Sequence, residues 1–265
     1  MRNCSFLIDI TKCIGCRACQ VACKQWNELA AEKTTNTGSY QNPPVLSAKT
    51  WTLIKFHEIE KQGNIDWIFT KVGCMHCEEP ACASVCPVGA LEKTESGAVI
   101  YHEKTCIGCR YCMMACPFRI PTYEWDKAFP YIRKCTFCFD RLSEGEIPAC
   151  AKACPTGAIC FGNRNEMIKK GKKLIASQPD RYNPHIYGEK EVGGTAVMYL
   201  APKGVTFSEL GFPELGERSL PSWTWNALRF VPAQIVVVGA LMSTFYWFTK
   251  RRAGKNNKKE GNHDE

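Results

Sequence analysis

Sixteen of the eighteen cysteines fall into four tetrads, and these constrain the fold more than any other feature of the 265-residue chain. The first and third tetrads have the spacing C-x2-C-x2-C-x3-C, the second C-x2-C-x4-C-x3-C and the fourth C-x2-C-x11-C-x3-C. The four tetrads are Cys13, Cys16, Cys19 and Cys23; Cys74, Cys77, Cys82 and Cys86; Cys106, Cys109, Cys112 and Cys116; and Cys135, Cys138, Cys150 and Cys154. A chain with this many thiols on short loops is expected to fold around what those thiols bind.

The C-x2-C-x2-C-x3-C-P run is typical of proteins that bind [4Fe–4S] clusters. Three closely spaced thiolates reach one cubane and the fourth reaches a different cluster, so the tetrads work in pairs. Structural zinc favours two distant C-x2-C pairs, and disulfide frameworks are typical of short secreted chains. Four complete tetrads therefore predict four [4Fe–4S] clusters. Cys4 and Cys160 lie outside the tetrads and are interpreted as small core residues.

The net charge of +8 would indicate an acidic partner or nucleic acid if bound metal were ignored. Each oxidised cubane with four thiolates carries roughly −2, so four clusters contribute about −8. We therefore interpret the basic excess as internal compensation and expect no nucleic-acid partner. Basic residues stand near tetrad cysteines at Lys12, Arg17, Lys24, Lys104, Arg110, Arg119, Arg133, Lys134 and Lys152.

The tetrads form an internal repeat. CIGCRACQVAC at 13–23 resembles CIGCRYCMMAC at 106–116, and CASVCPVGAL at 82–91 resembles CAKACPTGAI at 150–159. If each ferredoxin unit contains one tetrad of each type, two pairings remain: first with second and third with fourth, or second with third and first with fourth. A hairpin predicted around Ser96-Gly97 favours the latter. The expected fold is α+β, with two ferredoxin-like domains, one nested in the other, each with two [4Fe–4S] clusters.

We predict five segments. The first ferredoxin-like domain comprises 1–70 and 121–162, including a helix at 24–33 and a β-hairpin insert with its turn at Gln62-Gly63-Asn64. The second ferredoxin-like domain comprises 71–120. A C-terminal wrap at 163–222 contains a basic helix near 164–176 and a strand within 193–202. A transmembrane helix with its flanks at 223–250 and a basic cytoplasmic tail at 251–265 complete the chain.

Residues 230–249 carry no formal charge and are long enough to span a bilayer as a helix. The basic residues that follow, including Lys250, Arg251 and Arg252, predict a cytoplasmic C-terminus by the positive-inside rule. We therefore expect a single-pass protein of the cytoplasmic (inner) membrane with its cluster domain on the periplasmic side. The N-terminus has no apolar signal region, so we expect export of the folded domain on a partner subunit's signal.

Several stretches carry a resemblance to a known family. They are CIGCRACQVACKQWN at 13–27, YQNPPVLSAKTWT at 40–52, GCMHCEEPAC at 73–82, CIGCRYCMMACPFRIP at 106–121, CPTGAICFGNRNEM at 154–167 and EVGGTAVMYL at 191–200. The chain resembles the iron–sulfur (beta) subunit of membrane-bound respiratory formate dehydrogenase, within the four-cluster electron-transfer subunits of molybdopterin oxidoreductases. One departure is Lys24: it follows the last cysteine of the first tetrad, whereas proline follows the last cysteine of the other three. Lys24 therefore predicts that the chain leaves the first tetrad as a helix.

The resemblance implies a ligand set for each cluster. The sets are Cys13, Cys16, Cys19 and Cys154; Cys135, Cys138, Cys150 and Cys23; Cys74, Cys77, Cys82 and Cys116; and Cys106, Cys109, Cys112 and Cys86. It also implies that electrons enter from a molybdenum or tungsten pterin catalytic subunit and leave to a membrane cytochrome b and quinone.

We find no motif of a catalytic site in the sequence: no nucleophile elbow, P-loop or dinucleotide-binding turn. The expected function is electron transfer within an oxidoreductase complex, with formate as the expected substrate of the catalytic partner. The alternatives are an electron-transfer subunit of a nickel–iron hydrogenase, to which IYGEKEVGGT at 186–195 is also similar, or of a sulfur-compound or sulfoxide reductase. A rival of another class is a membrane-tethered zinc-binding module.

Overall fold

The computed structural model describes residues 3–61 and 63–260, with side chains as far as Arg252. The chain divides into two compact units, Met1–Pro221 and Ser222–Glu265. The strands are β1 (Cys4–Asp9), β2 (Leu53–Lys61), β3 (Asn64–Val72), β4 (Leu91–Lys93), β5 (Val99–Tyr101), β6 (Thr122–Tyr123), β7 (Ile132–Arg133), β8 (Ile159–Asn163), β9 (Tyr182–Tyr187) and β10 (Val197–Pro202). The helices are α1 (Ala18–Trp26), α2 (Ala81–Ser84), α3 (Tyr111–Ala115), α4 (Phe139–Ser143), α5 (Ala149–Lys152), α6 (Arg164–Ser177), α7 (Leu220–Leu228) and α8 (Val231–Glu260).

A four-stranded sheet in the order β8-β1-β10-β9 forms the centre of the first unit. Strand β1 pairs antiparallel with β8 and parallel with β10, which brings residues about 190 positions apart side by side. The parallel register places Phe6 opposite Val197 and Ile8 opposite Tyr199. The strand predicted within 193–202 is thus present, and it joins the two ends of the unit.

The two faces of this sheet bury different partners. On one face, Leu7, Met198 and Leu200 pack with Met167 of α6. Gly171 lets α6 approach closely, because a Cβ there would lie 2.9 Å from a methyl group of Ile186. The opposite face packs against the cysteine loops: Phe6, Ile8 and Tyr199 share a cluster of buried side chains with Cys19, Cys150 and Phe137. Alternation along β1 therefore separates a helix-covered face from a thiol-lined face.

Three smaller hairpins surround the sheet. Strands β2 and β3 pair from Leu53↔Val72 to Lys61↔Asn64, as the sequence predicts, although Gln62 of the predicted turn lies outside the described residues. Strands β4 and β5 form the hairpin predicted around Ser96-Gly97. Strands β6 and β7 pair through Thr122↔Arg133 and Tyr123↔Ile132.

The helix predicted at 24–33 is wrong beyond its first residues. The exit from the first tetrad is helical, as Lys24 in place of proline predicts, but α1 ends at Trp26. Glu28 then takes a left-handed conformation with φ +51°, which a helix cannot continue through. The basic helix predicted near 164–176 is present as α6, capped by the Asn163 side chain, which accepts a hydrogen bond from the Asn165 N–H.

Among the described residues, the second unit contains α7 from Ser222 onward and the whole of α8. Residues Leu220–Arg252 include an apolar stretch with mean hydropathy 1.6, none of it buried inside the protein, which is long enough to cross a membrane. The predicted helical span at 230–249 falls within it. The tail predicted at 251–265 lies, beyond Arg252, outside the residues whose side chains are described.

Candidate metal centres

Each tetrad begins with a C-x-x-C loop, and each of these four loops turns at its third residue. The backbone there is left-handed in every case: Gly15 (φ +68°), His76 (φ +46°), Gly108 (φ +72°) and Phe137 (φ +66°). Glycine adopts this conformation without strain, whereas a side chain opposes it. The shared turn explains why the two cysteines of one loop, such as Cys13 and Cys16, line one cavity.

The first and fourth tetrads exchange their last cysteines. One cavity is lined by Cys13, Cys16 and Cys19 of the first tetrad together with Cys154 of the fourth. A second cavity is lined by Cys135, Cys138 and Cys150 of the fourth tetrad together with Cys23 of the first. Helices α1 and α5 pack together and bring the two tetrads into register. These two groups of thiols coincide with the first two ligand sets that the family resemblance implies.

The second and third tetrads also meet. The thiol of Cys77 is close enough for its charge to interact with Cys74, Cys82 and Cys116. The Cys112 thiol interacts with Cys106 and Cys109 of its own tetrad.

The last cysteine of the second tetrad is the least defined by thiol contacts. Cys86 follows α2, which packs against α3, and its Sγ accepts a hydrogen bond from the Ala90 N–H at 3.2 Å. The described contacts thus bring together the third implied set and three members of the fourth.

The thiols lie in an environment that disfavours free thiolates. Burial raises the pKa of Cys19, Cys23, Cys82, Cys135 and Cys138 to about 12 and that of Cys112 to about 11. For Cys154, burial opposes ionisation, but hydrogen bonds from the Ile159 N–H and from Thr156 together lower the pKa. A cationic core that binds these sulfurs replaces their protons, so metal binding and folding are coupled.

The donor set fits clusters better than single ions. None of the eighteen cysteines forms a disulfide. Within residues 3–61 and 63–252, no three His, Cys, Asp or Glu side chains converge on a point where one ion would be held. A tetrahedral zinc site needs its sulfurs close together, because Zn–S bonds measure about 2.3 Å. Tetrad thiols also accept hydrogen bonds from backbone N–H groups: Cys106 accepts one from Gly108 at 3.4 Å, and Cys135 accepts one from Phe137 at 3.3 Å. Such hydrogen bonds are typical of iron–sulfur sites.

Two buried lysines, Lys71 and Lys134, and the partly buried Lys93 lie among the thiols. The Lys134 Nζ donates to the Val99 carbonyl oxygen and, at 3.1 Å, to that of Cys135. The Lys93 Nζ donates to the carbonyl oxygens of His76 and Gly97, both at 3.1 Å. These ammonium groups supply positive charge where cluster charge is expected.

Lys71 is the one whose charge acts on thiols of two different tetrads. It lies near the end of β3 and is 7% exposed. Burial alone would lower the pKa of Lys71, but the negative charges of Cys150, Tyr199, Cys19 and Cys135 raise it on balance. Its neighbours belong to both of the first two thiol groups. Sequence reasoning found Lys134 beside its cysteine but missed Lys71 and Lys93. The available signal for Lys71 was a lysine within the otherwise apolar end of a strand, three residues before Cys74.

Family comparisons agree with this geometry. Two models described as a 4Fe–4S dicluster domain match the chain, one at residues 65–164 and the other at residues 12–90. Together the matches cover all four tetrads.

Individual relatives extend the comparison along the chain. The nitrate-inducible formate dehydrogenase iron–sulfur subunit of Escherichia coli is 46% identical over 197 residues, which are 73% of this chain and 66% of that protein. The formate dehydrogenase iron–sulfur subunit of Haemophilus influenzae is 40% identical over 242 residues, covering 89% of this chain and 76% of the relative. The hydrogenase-2 operon protein HybA of Escherichia coli O157:H7 is 32% identical over 289 residues, covering 97% and 87%. The chain thus spans slightly less than two thirds of the first of these relatives.

Proposed function

Because the chain belongs to the iron–sulfur subunits of formate dehydrogenases and carries four [4Fe–4S] clusters, we propose that it conducts electrons from a catalytic subunit to the membrane. The catalytic subunit would bear a molybdenum or tungsten pterin and oxidise formate. The acceptor would be a membrane cytochrome b that reacts with quinone. The chain itself has an electron-transfer role without a catalytic site of its own.

The observation that carries this proposal is the proximity of four groups of cysteines. They are the four implied ligand sets, numbered in the order in which they were introduced. Cys19 of the first group and Cys150 of the second are close enough for their charges to interact. Cys135 of the second group interacts with Cys74 of the third. Cys82 of the third group interacts with Cys112 of the fourth. Four redox centres in such a series would form an unbroken route through the protein.

We propose the ligand sets that the family resemblance implies; two of them coincide with the thiol-lined cavities. The sets are Cys13, Cys16, Cys19 and Cys154; Cys135, Cys138, Cys150 and Cys23; Cys74, Cys77, Cys82 and Cys116; and Cys106, Cys109, Cys112 and Cys86. In this assignment the second ferredoxin-like domain, 71–120, is nested within the first, 1–70 and 121–162. The exchange of Cys23 and Cys154 between two cavities supports the nesting.

The chain's own residues would provide binding, orientation and electrostatics. When bound, the clusters supply one-electron transfer. The thiols would fix the metal positions, and the C-x-x-C turns would present N–H donors to sulfur. The buried Lys71 and Lys134 and the partly buried Lys93 would offset negative charge. The apolar face of the central sheet, with Phe6 and Ile8, excludes water from the first two groups.

The membrane placement is also part of the proposal. The long helix near the C-terminus would anchor the protein in the inner membrane by a single pass, within 223–250. The basic flank at Lys250, Arg251 and Arg252 supports a cytoplasmic tail at 251–265 and a periplasmic cluster domain. The wrap at 163–222 would connect the cluster domains to the anchor.

A hydrogenase partner is the second candidate, because the HybA relative covers most of the chain. Its identity of 32% is lower than the 46% and 40% of the two formate dehydrogenase relatives, which favours formate.

The test is anaerobic purification of the membrane complex with identification of its subunits. We expect a pterin-containing catalytic subunit, a cytochrome b, and about sixteen iron and sixteen sulfide per copy of this chain. A hydrogenase catalytic subunit in the complex would replace the formate assignment. Zinc without sulfide would contradict electron transfer altogether.

A further inference from the structure

His76 occupies an unusual position at the meeting point of two cysteine loops. It is the third residue of the Cys74–Cys77 loop, where the first and third tetrads have glycine, and its φ is +46°. Its side chain is only 1% exposed, and its ring centroid lies 4.5 Å from that of Phe137. Phe137 holds the same third position in the Cys135–Cys138 loop. A buried side chain that persists in a strained conformation is held there by its surroundings and points to a role.

The hydrogen bonding of His76 fixes its tautomer. The Val99 N–H donates to Nδ1 at 2.9 Å, so Nδ1 has an unprotonated lone pair and Nε2 carries the ring proton. Nε2 is fully buried and, within the part of the chain that the structure describes, has no hydrogen-bond partner. A buried donor without an acceptor is costly and rare in native proteins. The N–H of Nε2 is therefore expected to have an acceptor in the functional protein.

Among the described residues, the groups around the ring do not supply that acceptor. The charged side chains that act on His76 are Lys134, Lys93 and Lys71, and ammonium groups only donate hydrogen bonds. Phe137 offers an apolar ring. The backbone of His76 lies between two thiols of the second tetrad, and sulfur in an iron–sulfur site accepts N–H donors.

We propose that His76 donates its Nε2–H to a sulfur of the cluster held by Cys74, Cys77 and Cys82, and thereby raises the reduction potential of that cluster. The inference rests on the proposed electron-transfer function. The cluster concerned is the one at which electrons would pass between the two ferredoxin-like domains, since Cys74 and Cys135 are close enough for their charges to interact. A donor to sulfur stabilises the reduced cluster more than the oxidised one, because reduction adds negative charge.

Two substitutions separate this role from packing. In His76→Asn, the side-chain oxygen can still accept from the Val99 N–H, asparagine tolerates the left-handed backbone, and the donor at the Nε2 position is lost. In His76→Gln, an amide N–H reaches toward the Nε2 position. His102→Asn is the matched control, because the His102 side chain is exposed and pairs with Glu92 at the surface.

The measurement is a dithionite-driven redox titration of the full membrane complex, followed by electron paramagnetic resonance. We expect His76→Asn to lower the equilibrium constant for reduction of one cluster about tenfold. For a one-electron couple, this corresponds to a reduction potential lower by about 59 mV. That cluster should be the one whose signal is lost in Cys77→Ser. His76→Gln should recover part of the shift, and His102→Asn should cause none.

A second readout is the hyperfine coupling between a reduced cluster and ¹⁵N-labelled histidine. The coupling should be present in the wild-type protein and absent from His76→Asn. Unchanged potentials and an unchanged coupling in His76→Asn, with all clusters assembled, would overturn the proposal, as would a shift confined to another cluster. Because dithionite reduces the clusters directly, this outcome is distinct from a failure of formate to reduce them, which would count against the proposed function.

Discussion

The rings of His76 and Phe137 pack against each other with their centroids 4.5 Å apart, and both residues hold the third position of a C-x-x-C loop. Their backbones are left-handed, with φ of +46° and +66°. At the corresponding positions of the other two loops, the protein has Gly15 and Gly108. The two strained residues therefore belong to the two loops that face each other. Their contact links the second thiol group to the third.

Phe137 should be among the most sensitive apolar residues of the chain. It is 1% exposed and packs edge-on against Phe6, with ring centroids 5.0 Å apart, besides its contact with His76. Truncation of a buried phenylalanine leaves a cavity, so Phe137→Ala should destabilise the protein by about 3–5 kcal/mol. The measurement is the rate of cluster release in urea, monitored by visible absorbance. The control Phe129→Ala removes a ring that is 85% exposed and should leave the rate unchanged. Equal release rates for the two variants would contradict the packing role.

Lys71 should raise the potentials of the first two clusters, because its charge interacts with Cys19, Cys150 and Cys135. A unit charge several ångströms away contributes on the order of 2 kcal/mol at an effective dielectric constant of about 20. Lys71→Met keeps a long unbranched side chain but removes the charge. It should therefore lower the equilibrium constant for reduction of at least one cluster tenfold or more. Redox titration measures the effect, and Lys203→Met, at an exposed lysine, is the control. If Lys71→Met left every potential unchanged, the electrostatic role would be refuted.

Cys23 should act with the fourth tetrad and not with its own. Its thiol lines the cavity that contains Cys135, Cys138 and Cys150. Cys23→Ser should damage the cluster of that cavity and spare the one beside Cys13. Spectra of the reduced protein distinguish the two clusters. Cys160→Ser, outside both thiol groups, should retain all four signals. Loss confined to the Cys13 cluster would exclude cross-ligation.

The anchor should be separable from the cluster-binding unit. A chain that ends at Pro221 retains every cysteine and the whole first compact unit. We expect it to be soluble and to contain clusters, whereas the full-length chain remains with the membrane. Fractionation and iron analysis test this prediction. An aggregated, cluster-free product would mean that the apolar helix is part of the core.

The cysteine chemistry could be predicted from the sequence because tetrad spacing is local. The hairpins at β2–β3 and β4–β5 could also be predicted, since each has its turn signal between two apolar runs. The central sheet could not, because the parallel pairing of β1 with β10 depends on contacts between the two ends of a unit. Nothing in the local pattern of Cys4–Asp9 identifies its distant partner.

Two further features show where local reasoning ends. The sequence at 24–33 is rich in helix-forming residues, yet α1 stops at Trp26, whose indole N–H donates to Asp140 at 2.7 Å. The Lys24 Nζ also donates to the Lys49 carbonyl oxygen at 2.6 Å, so tertiary contacts override helix propensity. For His76, the sequence signal was a histidine where two sister loops have glycine, but its tautomer depends on Val99, which only the fold brings near.

The most direct test of the account is anaerobic addition of formate to the purified membrane complex, with the clusters of this chain monitored by electron paramagnetic resonance. Formate should reduce clusters in this subunit, and a quinone analogue should then reoxidise them. In the chain that ends at Pro221, reduction by formate should persist while reoxidation by quinone is lost. If dithionite reduces the clusters but formate leaves them oxidised, the chain does not conduct electrons from formate, and the central claim is contradicted.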